Sequence, residues 1–191
     1  MAEWATLEEA ITRIEAGVLP PLIAIDGLPC SGKSTMVNRL KERMDFECIY
    51  LDDFVRPEIE WPSRISPAFP FEYIRYDEFM RTVRTLASIG TCTYRPFDWN
   101  SHVVSVGART VSLSKPVVIE GVSSLNPGLC PLYGLKIFVE SDRATTLQAA
   151  FDRGVGTWAN QWREVFLPSA DIYMATQPQE RADLLIAGRC V

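Results

Sequence analysis

The chemistry of this chain starts at GLPCSGKS, residues 27 to 34, where two glycines five positions apart lead into a lysine and a serine. The spacing is that of the G-x-x-x-x-G-K-[ST] pattern. Its glycines let backbone wrap closely around phosphate oxygens, and the amides of Ser31 through Thr35 can point inward at the head of a helix. Lys33 can then reach the β- and γ-phosphates of a nucleotide, and the Ser34 hydroxyl can ligate Mg²⁺. Gly27, Ser31, Gly32, Lys33, Ser34 and Thr35 are therefore candidate nucleotide-binding residues. At ordinary residue frequencies the pattern arises by chance in about one chain in a hundred of this length. The strand expected before it and the helix expected after it weigh against an ordinary glycine-rich turn.

Three acids stand at the ends of apolar runs: Asp52 and Asp53 after ECIYL, and Glu120 after PVVI. The ends of strands in an open parallel sheet face the ligand crevice. A carboxylate there, at 52 or 53, can take the proton of an attacking hydroxyl, while Glu120 can hold a Mg²⁺-bound water. The competing readings are a helix N-cap for Asp52 or Asp53 and a solvated strand end for Glu120. Ser34 and Glu120 are the candidate metal-site residues.

The elements that must carry these groups follow from periodicity. Residues 4 to 16 have helical spacing, with Gly17 as a stop, and form the core of an N-terminal helical segment at 1–18. LIAID (22–26), ECIYLD (47–52), PVVIEGV (116–122), LKIFVE (135–140) and ADLLIAG (182–188) read as buried strands. Helices are expected at 32–44, 76–89 (ended by Gly90), 142–153 and 157–166. The stretch 55 to 70 holds four prolines and reads as a loop or lid. TCTYRPF, HVVSV and RTVSL alternate like strands within 91–113, with Gly107 at the turn between the last two. Strands that are apolar throughout need cover on both faces, which predicts an α/β fold with a largely parallel sheet and a small antiparallel insertion. The five tryptophans are expected mainly in the core; Trp158 and Trp162 lie at the i, i+4 spacing of a helix face.

Composition bounds the function. The chain has 191 residues, enough for one domain with a sizeable core, and a net charge of −5 with no Lys/Arg-rich stretch. Nucleic-acid polymers are disfavoured as partners. The longest apolar runs are too short to span a bilayer. The acidic start (Glu3, Glu8, Glu9) lacks the basic-then-apolar pattern of a secretory signal. Five scattered cysteines and a single histidine argue against a zinc site and for reduced thiols in a cytoplasm.

YLDDFVRP (50–57) resembles the segment after the second strand in uridine–cytidine kinases and nicotinamide riboside kinases, where the first acid of Asp-x-Phe is the catalytic base. YRPFDWNSH (94–102), VVIEGVSSL (117–125), KIFVESDRATTL (136–147) and ADLLIAGR (182–189) resemble later segments of the same family in order, so the similarity covers most of residues 21 to 189. The resemblance implies a single P-loop NTPase domain of the nucleoside-kinase-like, three-layer α/β type. ATP and Mg²⁺ would be the cofactors and a small alcohol, most of all a nucleoside, the acceptor. Asp52 takes the place of the base, Phe97 and His102 those of the base-reading hairpin residues, and Glu72 or Tyr76–Asp77 that of the ribose-holding pair. The 143–163 region is the place of the lid, where Arg153 would join Lys33 in spreading phosphoryl charge; Arg189 would cover the adenine. A homo-oligomer is compatible with the family. Two alternatives stay open: a kinase of another small alcohol (nicotinamide riboside, pantothenate or a sugar), and an ATP-binding regulator without transfer.

Overall fold

The computed structural model describes residues 2–16 and 22–188. The first half runs β1 (Glu3–Ala5), α1 (Leu7–Glu15), β2 (Leu22–Gly27), α2 (Lys33–Arg43), β3 (Glu47–Tyr50), α3 (Tyr76–Ile89) and β4 (Thr91–Tyr94). Then come β5 (Phe97–Asp98), β6 (Val103–Val104), β7 (Arg109–Ser112), β8 (Val117–Glu120), β9 (Leu135–Glu140), α4 (Arg143–Arg153), α5 (Ala159–Gln161), α6 (Leu167–Met174) and β10 (Leu184–Ala187).

Six strands form one parallel sheet in the order β1-β10-β9-β2-β8-β3, with β2 at its centre. The alternation inside β2 explains its unbroken apolar sequence. Leu22 and Ala24 enter one core with Ile49, Ile119, and Phe79, Val83 and Leu86 of α3. Ile23 and Ile25 enter another with Val118, Ile137, Ile11 and Ile14 of α1, and Met36, Val37 and Leu40 of α2. Each fully buried aliphatic chain stabilises the fold by roughly 1.5–3 kcal/mol, so a polar residue on either face of β2 would open a core. Two layers of helix around a parallel sheet is the architecture that the apolar strands demanded.

Four expectations need correction. The N-terminal segment is a strand followed by a helix: Thr6 and Glu9 form a capping box that starts the helix at Leu7, leaving Trp4 on the edge strand β1. Its expected stop, Gly17, lies outside the described residues. The strand 47–52 ends at Tyr50, and Leu51–Phe54 form a 3-10 turn. In the 91–113 insertion, β4 pairs with β7 and β5 with β6, so Gly107 lies on a connecting bend. The tight turn falls instead at 98–102, where Asp98 accepts from the Asn100 amide and the Ser101 hydroxyl and its carbonyl from the His102 amide. Finally, the helix expected at 157–166 continues to Met174 through α5, a π turn (Trp162–Phe166) and α6. Pro168 has no N–H to give, and the wide turn just before it carries the chain past without a break.

Among the described residues, no helix is long and apolar enough to cross a membrane.

Candidate active site

The phosphate loop joins β2 to α2 at the middle of the sheet, as strand–loop–helix context required. Gly27 adopts φ +144, and a Cβ there would sit 2.4 Å from the Val139 carbonyl oxygen, so the loop can leave β2 beside β9 only without a side chain. Lys33 is buried at the head of α2, and its Nζ donates to the carbonyls of Gly27 (3.1 Å) and Leu28 (2.8 Å). Ser34 and Thr35 are exposed at the first turn of the helix, whereas Ser31 is buried beneath the loop.

A cavity of about 390 Å³ opens over this loop. Gly32, Lys33, Ser34 and Thr35 line it together with Asp52, Glu120 and Arg153, so four separate elements bring the loop, two acids and one further cation to a single space. Register explains part of this: Glu120 at the end of β8 pairs with Ile25 of β2 and Tyr50 of β3, which sets it between the phosphate loop and the Asp52 turn.

Electrostatics follow from enclosure. Glu120 Oε1 is 3.9 Å from Lys33 Nζ, a long contact, and burial outweighs that attraction and pushes its carboxyl up to about 7. Asp52 opens onto the cavity, yet the surrounding protein still desolvates it, and its pKa is raised against the pull of Lys33 and Arg153. Its neighbour Asp53 is otherwise engaged: it accepts a 2.7 Å hydrogen bond from the Tyr94 phenol and faces Arg109 at 3.5 Å, tying the insertion to the sheet. That separates two acids that strand-end position alone left equal and of which the family resemblance favoured Asp52.

Ser34 and Glu120 supply hard oxygen donors facing one cavity, and no cluster of three or more His, Cys, Asp or Glu among the described residues could hold a metal ion by itself. Mg²⁺ suits such a place, since it keeps several waters and takes one or two protein oxygens plus substrate phosphates. The ion would screen phosphate charge there.

The other nominated residues divide. His102, at φ +57 in the ribbon turn, lines the cavity. Phe97 is buried behind it, its ring 5.1 Å from Trp99 and 6.2 Å from His102. Tyr76 and Asp77 line a different, open depression on α3, and the Tyr76 hydroxyl accepts from Asn126. Glu72 is exposed and accepts from the Ser66 amide. None of Phe97, Glu72, Tyr76 and Asp77 lines the main cavity. Arg189 lies outside the described residues.

Sequence reasoning missed two groups. Trp61, Trp99, Trp158 and Trp162, expected as core, line the cavity with Tyr73 and Phe166. Asp26 is fully buried beneath the phosphate loop and accepts from the amides of Gly27, Ser123 and Leu125 and from the Tyr173 phenol. An acid closing the apolar run LIAID, just before the loop, was a signal available beforehand.

Strand order, the loop after the central strand and the helical layers define a three-layer α/β fold of the kind seen in P-loop kinase structures. No family model matches the chain. Among solved structures it is similar to a possible uridine kinase from Bacillus stearothermophilus (TM-score 0.70, 20% identity, covering 94% of this chain and 96% of that one). A candidate fructose transport system kinase from a Silicibacter species gives a TM-score of 0.69 at 22% identity, over 95% and 98% of the two chains. D-glycerate 3-kinase from Cryptococcus neoformans is more distant, with a TM-score of 0.52 and 12% identity over 92% and 85%.

Proposed function

We propose that this protein transfers the γ-phosphoryl group of ATP, with Mg²⁺, to a hydroxyl of a small molecule, a nucleoside being the acceptor that fits best. The carrying observation is that Lys33, Asp52, Glu120 and Arg153 line one cavity directly over the phosphate loop. The loop amides and Lys33 hold the phosphates, and Mg²⁺ supplies charge neutralisation when bound. Asp52 is open to the cavity and takes the proton of the incoming hydroxyl; its raised pKa suits a base that must accept one. Lys33 and Arg153 spread the charge of the transferring group. Rings along the rest of the cavity favour an acceptor with a flat body, which supports a nucleoside over a sugar. That the similar structures carry kinase descriptions agrees with this reading.

The test is an ADP-release screen of purified protein with Mg²⁺-ATP against nucleosides, nicotinamide riboside, pantothenate and simple sugars. Acceptor-dependent ADP with a nucleoside is the expected result. ATP binding without ADP release for any acceptor would instead favour a nucleotide-binding regulator.

A further inference from the structure

The aromatic wall of the cavity is assembled from three separate segments. Trp61 comes from the proline-rich loop, Trp99 and His102 from the β5–β6 ribbon, and Trp158 and Phe166 from the stretch after α4. Trp158 is the hub. Its ring centroid lies 5.8 Å from Phe166, 5.9 Å from Trp61, 5.9 Å from Trp99 and 6.1 Å from His102. The interplanar angles of these four pairs run from 42° to 89°, so Trp158 stacks face to face with none of them. Its indole N–H donates to Glu58, which occupies its one polar group. Trp158 is only half-buried and lines the cavity, so part of its ring surface is open to a ligand. Such wide apolar faces beside a cavity are costly in water, and a flat ring settling on them relieves that cost.

The same residue is linked to the phosphate chemistry. Arg153 ends α4, and only residues 154–157 separate it from Trp158. Gly154 (φ +88) and Gly156 (φ +57) flank Val155 in the left-handed region, and a Cβ at either would meet nothing within 4 Å. Both side chains line the same cavity from one short segment, and its two glycines leave the backbone free to adjust, so a ring settling on the indole can carry the guanidinium with it. Arg153 acts electrostatically on both Asp52 and Glu120. At the other end, Tyr73 feels the charge of Asp52 and packs 4.5 Å from Phe166, so the rings begin beside the acid.

Building on the kinase reading, we propose that Trp158 is the specificity-determining residue for the acceptor: it binds any flat ring through its π face, and that contact sets Arg153 over the phosphoryl group. Stacking discriminates little among rings, because each has a π face. The acceptors are thus ring-bearing alcohols with loose preference for the ring's identity, and acyclic alcohols fail. No bond chemistry beyond transfer from ATP to the hydroxyl is involved.

The experiment compares wild type, Trp158→Phe and Trp158→Ala with Mg²⁺-ATP and uridine, adenosine or glycerol. Both kinetics and quenching of tryptophan fluorescence by each acceptor are followed. In wild type, uridine and adenosine should agree in kcat/KM within about tenfold, with glycerol at least about a hundredfold lower. Trp158→Ala should raise the nucleoside KM about tenfold or more and also lower kcat, with the KM for ATP moving less than about threefold. Trp158→Phe, which keeps a ring face, should recover most of both losses. A merely structural role would raise the KM for ATP together with the nucleoside KM and would lower the melting temperature of Trp158→Ala in step with its activity. An unchanged nucleoside KM in Trp158→Ala, glycerol used as well as uridine, or no saturable quenching by either nucleoside would each overturn the proposal. Saturable quenching that disappears in Trp158→Ala, in a protein releasing no ADP, would uphold ring binding at Trp158 while sinking the kinase reading.

Discussion

The phenol of Tyr173, on α6, donates a 2.6 Å hydrogen bond to Asp26, the last side chain before the phosphate loop. The same carboxylate accepts from Gly27 at the start of that loop and from Ser123 and Leu125 just beyond Glu120. Burial raises the pKa of Asp26, and the hydrogen bonds from Tyr173, Leu125 and Gly27 and the charge of Lys33 oppose it, Tyr173 most of all. One buried group thus joins the loop after β2, the turn after β8 and the helix that follows the aromatic wall.

Tyr173→Phe should destabilise the protein by about 1–3 kcal/mol, the range for stripping a donor from a buried charged acceptor. Denaturant unfolding at neutral pH measures it. The KM for ATP should rise in parallel, because Gly27 and the Glu120 turn lose a shared anchor. A stability loss with unaltered ATP kinetics would confine Asp26 to the core.

Arg153→Ala should lower kcat by roughly 10³-fold, the scale seen when a cation facing a transferring phosphoryl group is removed. Arg153 is exposed at the end of α4, so folding should be little affected, and thermal unfolding provides the control. A fall below tenfold would make it a surface charge.

Glu120 offers a prediction with a definite sign. Its pKa is raised from 4.5 to about 7, so between those values the folded chain binds more protons than the unfolded one. Stability in the absence of nucleotide and metal is then full below about pH 4.5 and falls as pH rises through 7, by roughly 3 kcal/mol. Asp26 and Asp52 shift in the same direction and add to the slope. Glu120→Gln should flatten the slope and stabilise the metal-free protein at pH 8 while costing activity, the trade expected of a buried functional acid. Denaturant midpoints at pH 5 and pH 8 for both proteins decide it.

How much of this was legible beforehand depends on which physical signal set each feature. The central strands announced themselves because both faces of β2 are buried, and α3 ended at Gly90 as its pattern indicated. The insertion's pairing was not legible: β5 and β6 are two residues long, too short for alternation to choose partners, and the Asp98 turn decides. Placement of Asp52 and Glu120 beside the phosphate loop followed from strand ends in a parallel sheet and that of Lys33 from the loop pattern, whereas Arg153, at the end of a helix, was reached only through the family resemblance. The aromatic wall did not, since the i, i+4 spacing of Trp158 and Trp162 is the same whether a helix face meets a core or a ligand. Glu72 and Asp77 came from an ambiguous register, and neither lines the cavity: Glu72 is exposed and accepts from the Ser66 amide, and Asp77 lines the depression on α3.

The sharpest test of the chemistry is Asp52→Asn. The amide has nearly the carboxylate's shape but cannot take a proton, so kcat should fall by about 10²–10⁴-fold. ATP binding should change little, because in the proposed reaction Lys33 and the loop amides rather than Asp52 hold the phosphates. The pH profile separates this from a packing effect. With its pKa raised by burial, Asp52 in the wild type should place the acidic limb of kcat/KM above the ordinary carboxylate range. That limb should vanish in the variant. If turnover and profile both survive the substitution, the proton leaves the acceptor by another route and Asp52 has no part in the transfer.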